Sequence, residues 1–208
     1  MRIIDISWPI SNQITTYKNK NDVQIEMVKK FEIDGCREAR LNCGVHTGTH
    51  VDAPAHFLQN GATVDQVDLS NLIGPCQLFD LTHIENQITA EDLKKLDFKT
   101  PIILFKTRNS LQAIDERFDP LFVYLDGSAA KFLAHQKLTA IGIDGLGVER
   151  NQPNHETHIQ LLKKQISIIE GLRLAHVTAG MYQLICLPLN LIGTDAAPAR
   201  AVLIQQSY

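Results

Sequence analysis

The chain has 208 residues, 44% of them hydrophobic and 21% charged, with a formal net charge of −3. That length suits one domain over residues 1–208 with a substantial core, and the composition is that of an ordinary globular protein. The slight acidity removes the electrostatic case for nucleic acid or an anionic membrane as a partner.

In chain order, Ile3–Ser7 reads as a first strand ended by Pro9. The polar stretch Ser11–Asp22 reads as a loop, and its place ahead of a histidine cluster makes it a candidate lid. Val23–Ile33 and Glu38–Val45 read as paired strands joined around Asp34-Gly35. Asn60-Gly61 marks a turn, Asp65–Leu72 a loop or short helix, and Cys76–Thr82 a strand. Thr89 with Asp92 predicts a capped helix through Leu96, and the apolar run Pro101–Thr107 a buried strand. Ser128 is the expected cap of a helix carrying Ala129, Phe132 and Leu133, followed by a strand at Thr139–Ile143. His155–Lys164 reads as a helix, with strands at Ile166–Glu170, Met181–Leu187 and Ala199–Gln205. Hairpins mixed with strand–helix–strand units predict one mixed α/β domain.

The four cysteines, Cys36, Cys43, Cys76 and Cys186, lack CxxC spacing, which excludes zinc-ribbon and thioredoxin readings and suits reduced thiols. The first residues have no long apolar run of a signal peptide, and no stretch of eighteen apolar residues predicts a membrane span. The expected address is cytoplasmic. Neither a GxSxG elbow nor a glycine-rich phosphate loop is present, so serine-hydrolase and nucleotide readings have no footing.

The densest chemistry lies in VHTGTHVDAPAHF, residues 45–57, which holds His46, His50, Asp52 and His56 around Gly48 and Pro54. Three imidazoles and a carboxylate are the donor set of a Zn²⁺ site, with Mn²⁺ or Fe²⁺ as further fits. The bland reading is a loop of hydrogen-bonding surface histidines. All four positions are even, so an extended backbone would point them to one face. Fully extended, however, His46 and His56 would stand about 33 Å apart at roughly 3.3 Å per residue, and ligands of one ion must nearly touch. The segment must bend. Gly48 is free to take a positive φ, and Pro54 turns the chain before His56.

HTGTHVDAPAHF resembles the HxGTHxDxPxH signature of the cyclase family of metal-dependent hydrolases, which includes bacterial kynurenine formamidase (arylformamidase) and isatin hydrolase. IIDISWPI, LTAIGIDGLGVE, HIQLLKKQISIIEGL and LPLNLIGTDAAPARAVLI are similar to family blocks in the same order. The resemblance implies that His46, His50 and Asp52 are metal ligands, that His56 carries protons, and that His158 and Glu170 complete a two-metal site bridged by Asp52. His155 is the neighbouring alternative to His158. It also implies a swivelling β/β/α fold with a mixed, barrel-like β core flanked by helices, two divalent ions with Zn²⁺ first and Mn²⁺ second, and a homodimer or higher homo-oligomer.

The distal pair is physically testable. In one helix His158 and Glu170 would lie about 18 Å apart at 1.5 Å per residue. The sequence instead breaks near Gln165, where LLKK gives way to β-branched ISIIE, so a helix-to-strand turn can return Glu170 toward His158. The expected activity is hydrolysis of a small-molecule amide, N-formyl-L-kynurenine to L-kynurenine and formate. The alternatives are a cyclic amide or lactone hydrolase of the isatin type, and a non-catalytic metal- or ligand-binding protein. The family's Pro-Gly-Asp turn after the first strand is missing here, and Tyr17 is the one aromatic of ITTYKNKNDV that could bind substrate. Asp195 and Arg200 are left between structural and supporting roles, and Cys43 reads as packing.

Overall fold

The computed structural model describes residues 1–205. The chain runs through β1 (Arg2–Asp5), β2 (Gln24–Lys29), a helical turn α1 (Phe31–Asp34), β3 (Glu38–Asn42) and β4 (His50–Asp52). It continues through β5 (Ile73–Asp80), β6 (Gln87–Ile88), α2 (Ala90–Leu93), β7 (Ile102–Lys106), β8 (Tyr124–Leu125) and α3 (Gly127–Leu133). β9 (Ala140–Ile143), α4 (Glu156–Leu162), β10 (Ser167–Glu170), β11 (Gly180–Pro188) and β12 (Ala196–Gln205) follow.

Strand order β12-β11-β5-β7-β9-β10-β4, with β4 pairing back onto β12, closes seven strands into a mixed barrel, and β1 lies outside on β12. β5, β7, β9 and β10 run parallel, and the remaining contacts are antiparallel. The period of two then sorts the side chains. Val51, Leu78, Leu104, Ala140, Ile169, Leu184 and Leu203, drawn from all seven strands, fill the barrel interior as one cluster. Their neighbours Ile103, Phe105, Ile141, Ile143 and Ile168 point outward, under Leu93 of α2, Leu133 of α3 and Leu161 of α4. Because Val51 faces inward, His50 and Asp52 face outward, beside outward-facing Glu170. A barrel of seven staves flanked by helices agrees with the expected fold.

Several local expectations need correction. Asp34-Gly35 is no two-residue hairpin turn: residues 31–34 form α1, closed by Gly35 at φ 67 whose N–H bonds the Phe31 carbonyl. β2 and β3 pair as expected, but β2 ends at Lys29, short of Ile33, and β3 at Asn42, short of Val45. The cap of α3 is Asp126, which accepts the Ala129 N–H at 2.8 Å, and the Ser128 hydroxyl donates to Asp126 instead. Thr89 and Asp92 do form a capping box, although α2 ends at Leu93 rather than Leu96. His155 lies outside α4 as its left-handed N-cap, at φ 51. β12 begins at Ala196, ahead of the expected Ala199, because Pro198 sits opposite His50 in the β4 pairing and hides the strand from a propensity reading.

Two backbone points hold β4 against β10. Gly48, at φ 59, makes the expected bend. Gly171, at φ 67, follows Glu170 directly, and a Cβ there would stand 2.3 Å from the Gly48 carbonyl oxygen. Thr49 fastens the same crossing, donating to the Gly171 carbonyl at 2.6 Å while accepting the Trp8 N–H at 2.8 Å. Gly171→Ala is therefore expected to cost roughly 3 kcal/mol, from left-handed strain plus overpacking. Thermal unfolding should then begin roughly 10 °C lower, and an unchanged melting curve would contradict the contact.

Candidate metal centre and cavity

β4 places His50 and Asp52 two residues apart on one face, and antiparallel register sets Glu170 opposite His50. The bend at Gly48 carries His46 back beside Asp52, and a 3-10 turn at Pro54–His56 folds His56 over the same place. Gln165, at φ 57, reverses the chain between α4 and β10, so His158 returns to Glu170 as the break near that residue predicts.

Six groups converge. His46 Nδ1 lies 3.0 Å from Asp52 Oδ1, and His50 Nε2 lies 3.5 Å from Asp52 Oδ1 and 3.2 Å from Glu170 Oε2. His158 Nε2 stands 3.4 Å from both Asp52 Oδ2 and Glu170 Oε1. Two donor sets result, His46–Asp52–His56 and His50–Asp52–Glu170, each with its atoms within 4.8 Å of one another, and Asp52 belongs to both.

The residues fit a divalent ion on a physical ground. Despite the crowding, both Asp52 oxygens and His50 Nε2 are buried without a hydrogen-bond partner among the described residues. Buried polar atoms left so cost about 1–3 kcal/mol each unless something else satisfies them. The far nitrogens of two rings, by contrast, are anchored: His50 Nδ1 on the Gly48 carbonyl at 2.9 Å and His46 Nε2 on Asp195 Oδ2 at 2.9 Å, whereas His158 Nδ1 faces Glu149 Oε2 at 3.1 Å without a hydrogen bond. Imidazoles held from behind with their other nitrogens aimed at one place are what a cation site requires.

Charge tells the same story. Burial opposes ionisation of Asp52, yet His158, His46 and His50 outweigh it and hold the carboxyl well below its usual range. Burial raises Glu170 too, as does the Asp52 charge, but His158 and His50 bring it down to about 2. Burial works against the His46 cation, and contact with Asp52 and Asp195 overcomes it, raising the ring to about 9. His56 goes the other way: burial lowers it, the charges of His46 and His158 add to that, and Asp52 and Glu170 oppose it without prevailing.

A cavity of about 480 Å³ opens onto this cluster, lined by Tyr17, His56, Phe57, Leu146, Gln152 and His155 among others. Thr16, Tyr17, Lys18, Lys20 and Asp22 of the expected lid segment form part of its wall. Tyr17 is braced from behind by Phe118, ring centroids 4.8 Å apart. His155 is held at Nδ1 by Glu149 Oε1 at 2.6 Å and belongs to neither donor set.

Comparison with known proteins is consistent with this geometry. A family model described as "Putative cyclase" matches residues 4–150. The chain belongs to the cyclase family. Within it, the kynurenine formamidase of Bacillus thuringiensis subsp. konkukian (strain 97-27) is 34% identical over 203 residues, covering 96% of each chain. A solved structure titled as a potential metal-dependent hydrolase with cyclase activity is 41% identical, with a TM-score of 0.89 over 100% of this chain and 99% of its own. An isatin hydrolase solved with the product analogue thioisatinate superposes with a TM-score of 0.86 over 99% of this chain and 92% of its own, at 19% identity, a likeness of fold.

The structure thus gathers all of His46, His50, Asp52, His56, His158 and Glu170, and brings Tyr17 to the cavity wall. Sequence reasoning passed over Glu149 and left Asp195 without a role. Glu149 lies within the LTAIGIDGLGVE block, but nothing local marks it: its partners His155 and His158 depend on the turn into α4. Arg200 pairs with Asp5 on the exposed surface, away from the cluster.

Proposed function

We propose that this cyclase-family chain is a metal-dependent amidase that hydrolyses N-formyl-L-kynurenine to L-kynurenine and formate. The observation that carries the reading is the Asp52-centred pair of donor sets at a cavity that His56 lines. Relatives named kynurenine formamidase, matched over nearly the whole chain, supply the substrate.

We assign His46, His50, Asp52, His158 and Glu170 to holding two divalent ions, with Asp52 common to both. Imidazole and carboxylate donors suit Zn²⁺ first and Mn²⁺ second. Bound there, such ions lower the pKa of a water toward 7 and polarise a carbonyl. The rest falls to the chain. His56 is kept neutral by burial, so it can take the proton of the attacking water and return it to the departing nitrogen. Phe57, Leu146 and Tyr17 offer an aromatic substrate an apolar wall and limit the approach of bulk water.

His56→Ala is expected to lower kcat about a hundredfold, in the range for loss of a positioned acid/base, while the protein keeps its metal. Metal content by plasma emission and turnover measured on the same sample check it; loss of the metal would make His56 a ligand instead. A panel of N-formyl-L-kynurenine, isatin and small cyclic amides, each with Zn²⁺ or Mn²⁺, tests the substrate, and turnover of isatin alone would overturn the formamidase reading.

A cytoplasmic address belongs to the same proposal, and no helix among the described residues is long and apolar enough to cross a membrane. So does a homodimer. The β2–β3 arm leaves Met27, Phe31, Ile33 and Leu41 exposed, a surface a second copy would cover, and a monomer mass in sedimentation equilibrium would remove it.

A further inference from the structure

We propose that Asp195 is a positioning residue that fixes, through one carboxylate oxygen, which nitrogen of His46 and which nitrogen of His56 carries the proton. Asp195 Oδ2 lies 2.9 Å from His46 Nε2 and 3.0 Å from His56 Nδ1. The two rings it joins are neighbours, with centroids 4.2 Å apart and planes tilted by 38°.

The chemistry follows from counting protons. An ionised carboxylate accepts hydrogen bonds and donates none, so both nitrogens facing Oδ2 must be N–H groups. A neutral imidazole has one N–H. In the neutral form that ligation requires, His46 is then left with its lone pair on Nδ1, the nitrogen 3.0 Å from Asp52 Oδ1, where it would serve as a metal donor. His56 is left with its lone pair on Nε2, and its ring lines the cavity, where a proton acceptor is needed. One oxygen thus sets the ligand form of one ring and the base form of the other. Without it, either ring is free to adopt the tautomer that buries its lone pair away from its task.

A purely structural role is poorly served by this side chain. What Asp195 gives the fold is its main-chain carbonyl, which accepts the Ala53 N–H at 2.9 Å and survives any side-chain change. The side chain itself is 42% exposed, so truncation opens no cavity. Asp195 stands on the segment leading into β12, and β12 pairs with β4, so the barrel closure that aligns His50 and Asp52 also places Asp195 behind His46 and His56.

For its kinetic arm the assignment rests on the amidase reading; the other arms do not. Wild type, Asp195→Ala and Asp195→Asn would be loaded with Zn²⁺ and compared in three ways. Competition against a chelator should show zinc held roughly tenfold to a hundredfold more weakly in the alanine variant, the usual loss when a partner behind a ligand is removed. Long-range nitrogen–proton correlation spectra should show His56 as the Nδ1–H tautomer in wild type and as a mixture in Asp195→Ala. On N-formyl-L-kynurenine, kcat should fall about thirtyfold with KM moved far less. Asp195→Asn, which keeps an acceptor oxygen, should recover part of all three. Zinc affinity within about twofold of wild type, or an unchanged His56 tautomer in the alanine variant, overturns the assignment. If wild type leaves formylkynurenine intact, the amidase reading falls, and the zinc and tautomer readouts still decide the role of Asp195.

Discussion

Asp52→Asn is expected to lower turnover of N-formyl-L-kynurenine by roughly a thousandfold and to strip most of the bound metal. The substitution keeps the size of the side chain, so the loss is one of charge and of donor atoms. Asp52 is the one residue common to both donor sets, and three imidazoles, those of His46, His50 and His158, are arranged around its two oxygens. An amide presents an N–H₂ group where one of those oxygens was, which can neither hold a cation nor face an imidazole donor. Removing one partner from a buried charged cluster costs about 3–5 kcal/mol, a factor of a few hundred to several thousand. Metal analysis of the purified variant is the direct check. Retention of metal at the wild-type ratio would show that Asp52 is no ligand, whatever happened to the rate.

The second large effect belongs to the metal-free protein, which should lose stability as the pH rises from about 6.5 to 9. His46 titrates at about 9 in the folded chain against 6.5 unfolded; its burial resists this, and contact with Asp52 and Asp195 prevails. His50 and His158 are shifted in the same direction. A raised histidine means that the folded state holds more protons in that window. Its contribution is complete below 6.5 and is lost as the pH passes 9. For His46 alone the difference is about 3 kcal/mol, at about 1.4 kcal/mol per unit. The carboxylates give the opposite limb. Glu170 titrates at about 2 and Asp52 well below its usual value, so their stabilisation is present above about 4.5 and fades toward 2. Chelated protein should therefore be most stable between about 4.5 and 6.5, whereas ligation requires neutral imidazoles and should flatten the basic limb. Urea unfolding at pH 6 and pH 9, with and without chelator, reads both. Equal midpoints for the chelated protein at the two pH values would refute the arrangement of charges.

What the sequence made legible was chemistry carried by neighbours. His46, His50, Asp52 and His56 are close in the chain, and Gly48 and Pro54 between them marked the bends that the backbone takes. The turn at Gln165 was visible because a helical pattern stops and a β-branched one starts. β4 was not visible as a strand: His-Val-Asp is short and polar, and only its pairing with β10 and β12 makes it part of a sheet. Asp195 was hidden for a related reason, since barrel closure brings His46 and His56 to it, and Glu149 because its partners His155 and His158 reach it only through the turn into α4. The exchange of Ser128 for Asp126 as the α3 cap was a choice between residues two positions apart that both cap well, settled by the hydrogen bond to Ala129.

The stave that carries the cluster is also the one that closes the barrel. β4 borders β10 on one side and β12 on the other, partners that lie well over a hundred positions later in the chain. Contacts so distant in sequence form slowly, because a long loop must be ordered before they repay it. The donor set that needs Glu170, with His50 and Asp52, consequently comes into being at a seam joined late. An ion captured there would have little to grip in a partly assembled chain, and its effect would fall on the rate at which the finished barrel reopens. Bound metal would act as a latch on unfolding rather than as a seed for folding.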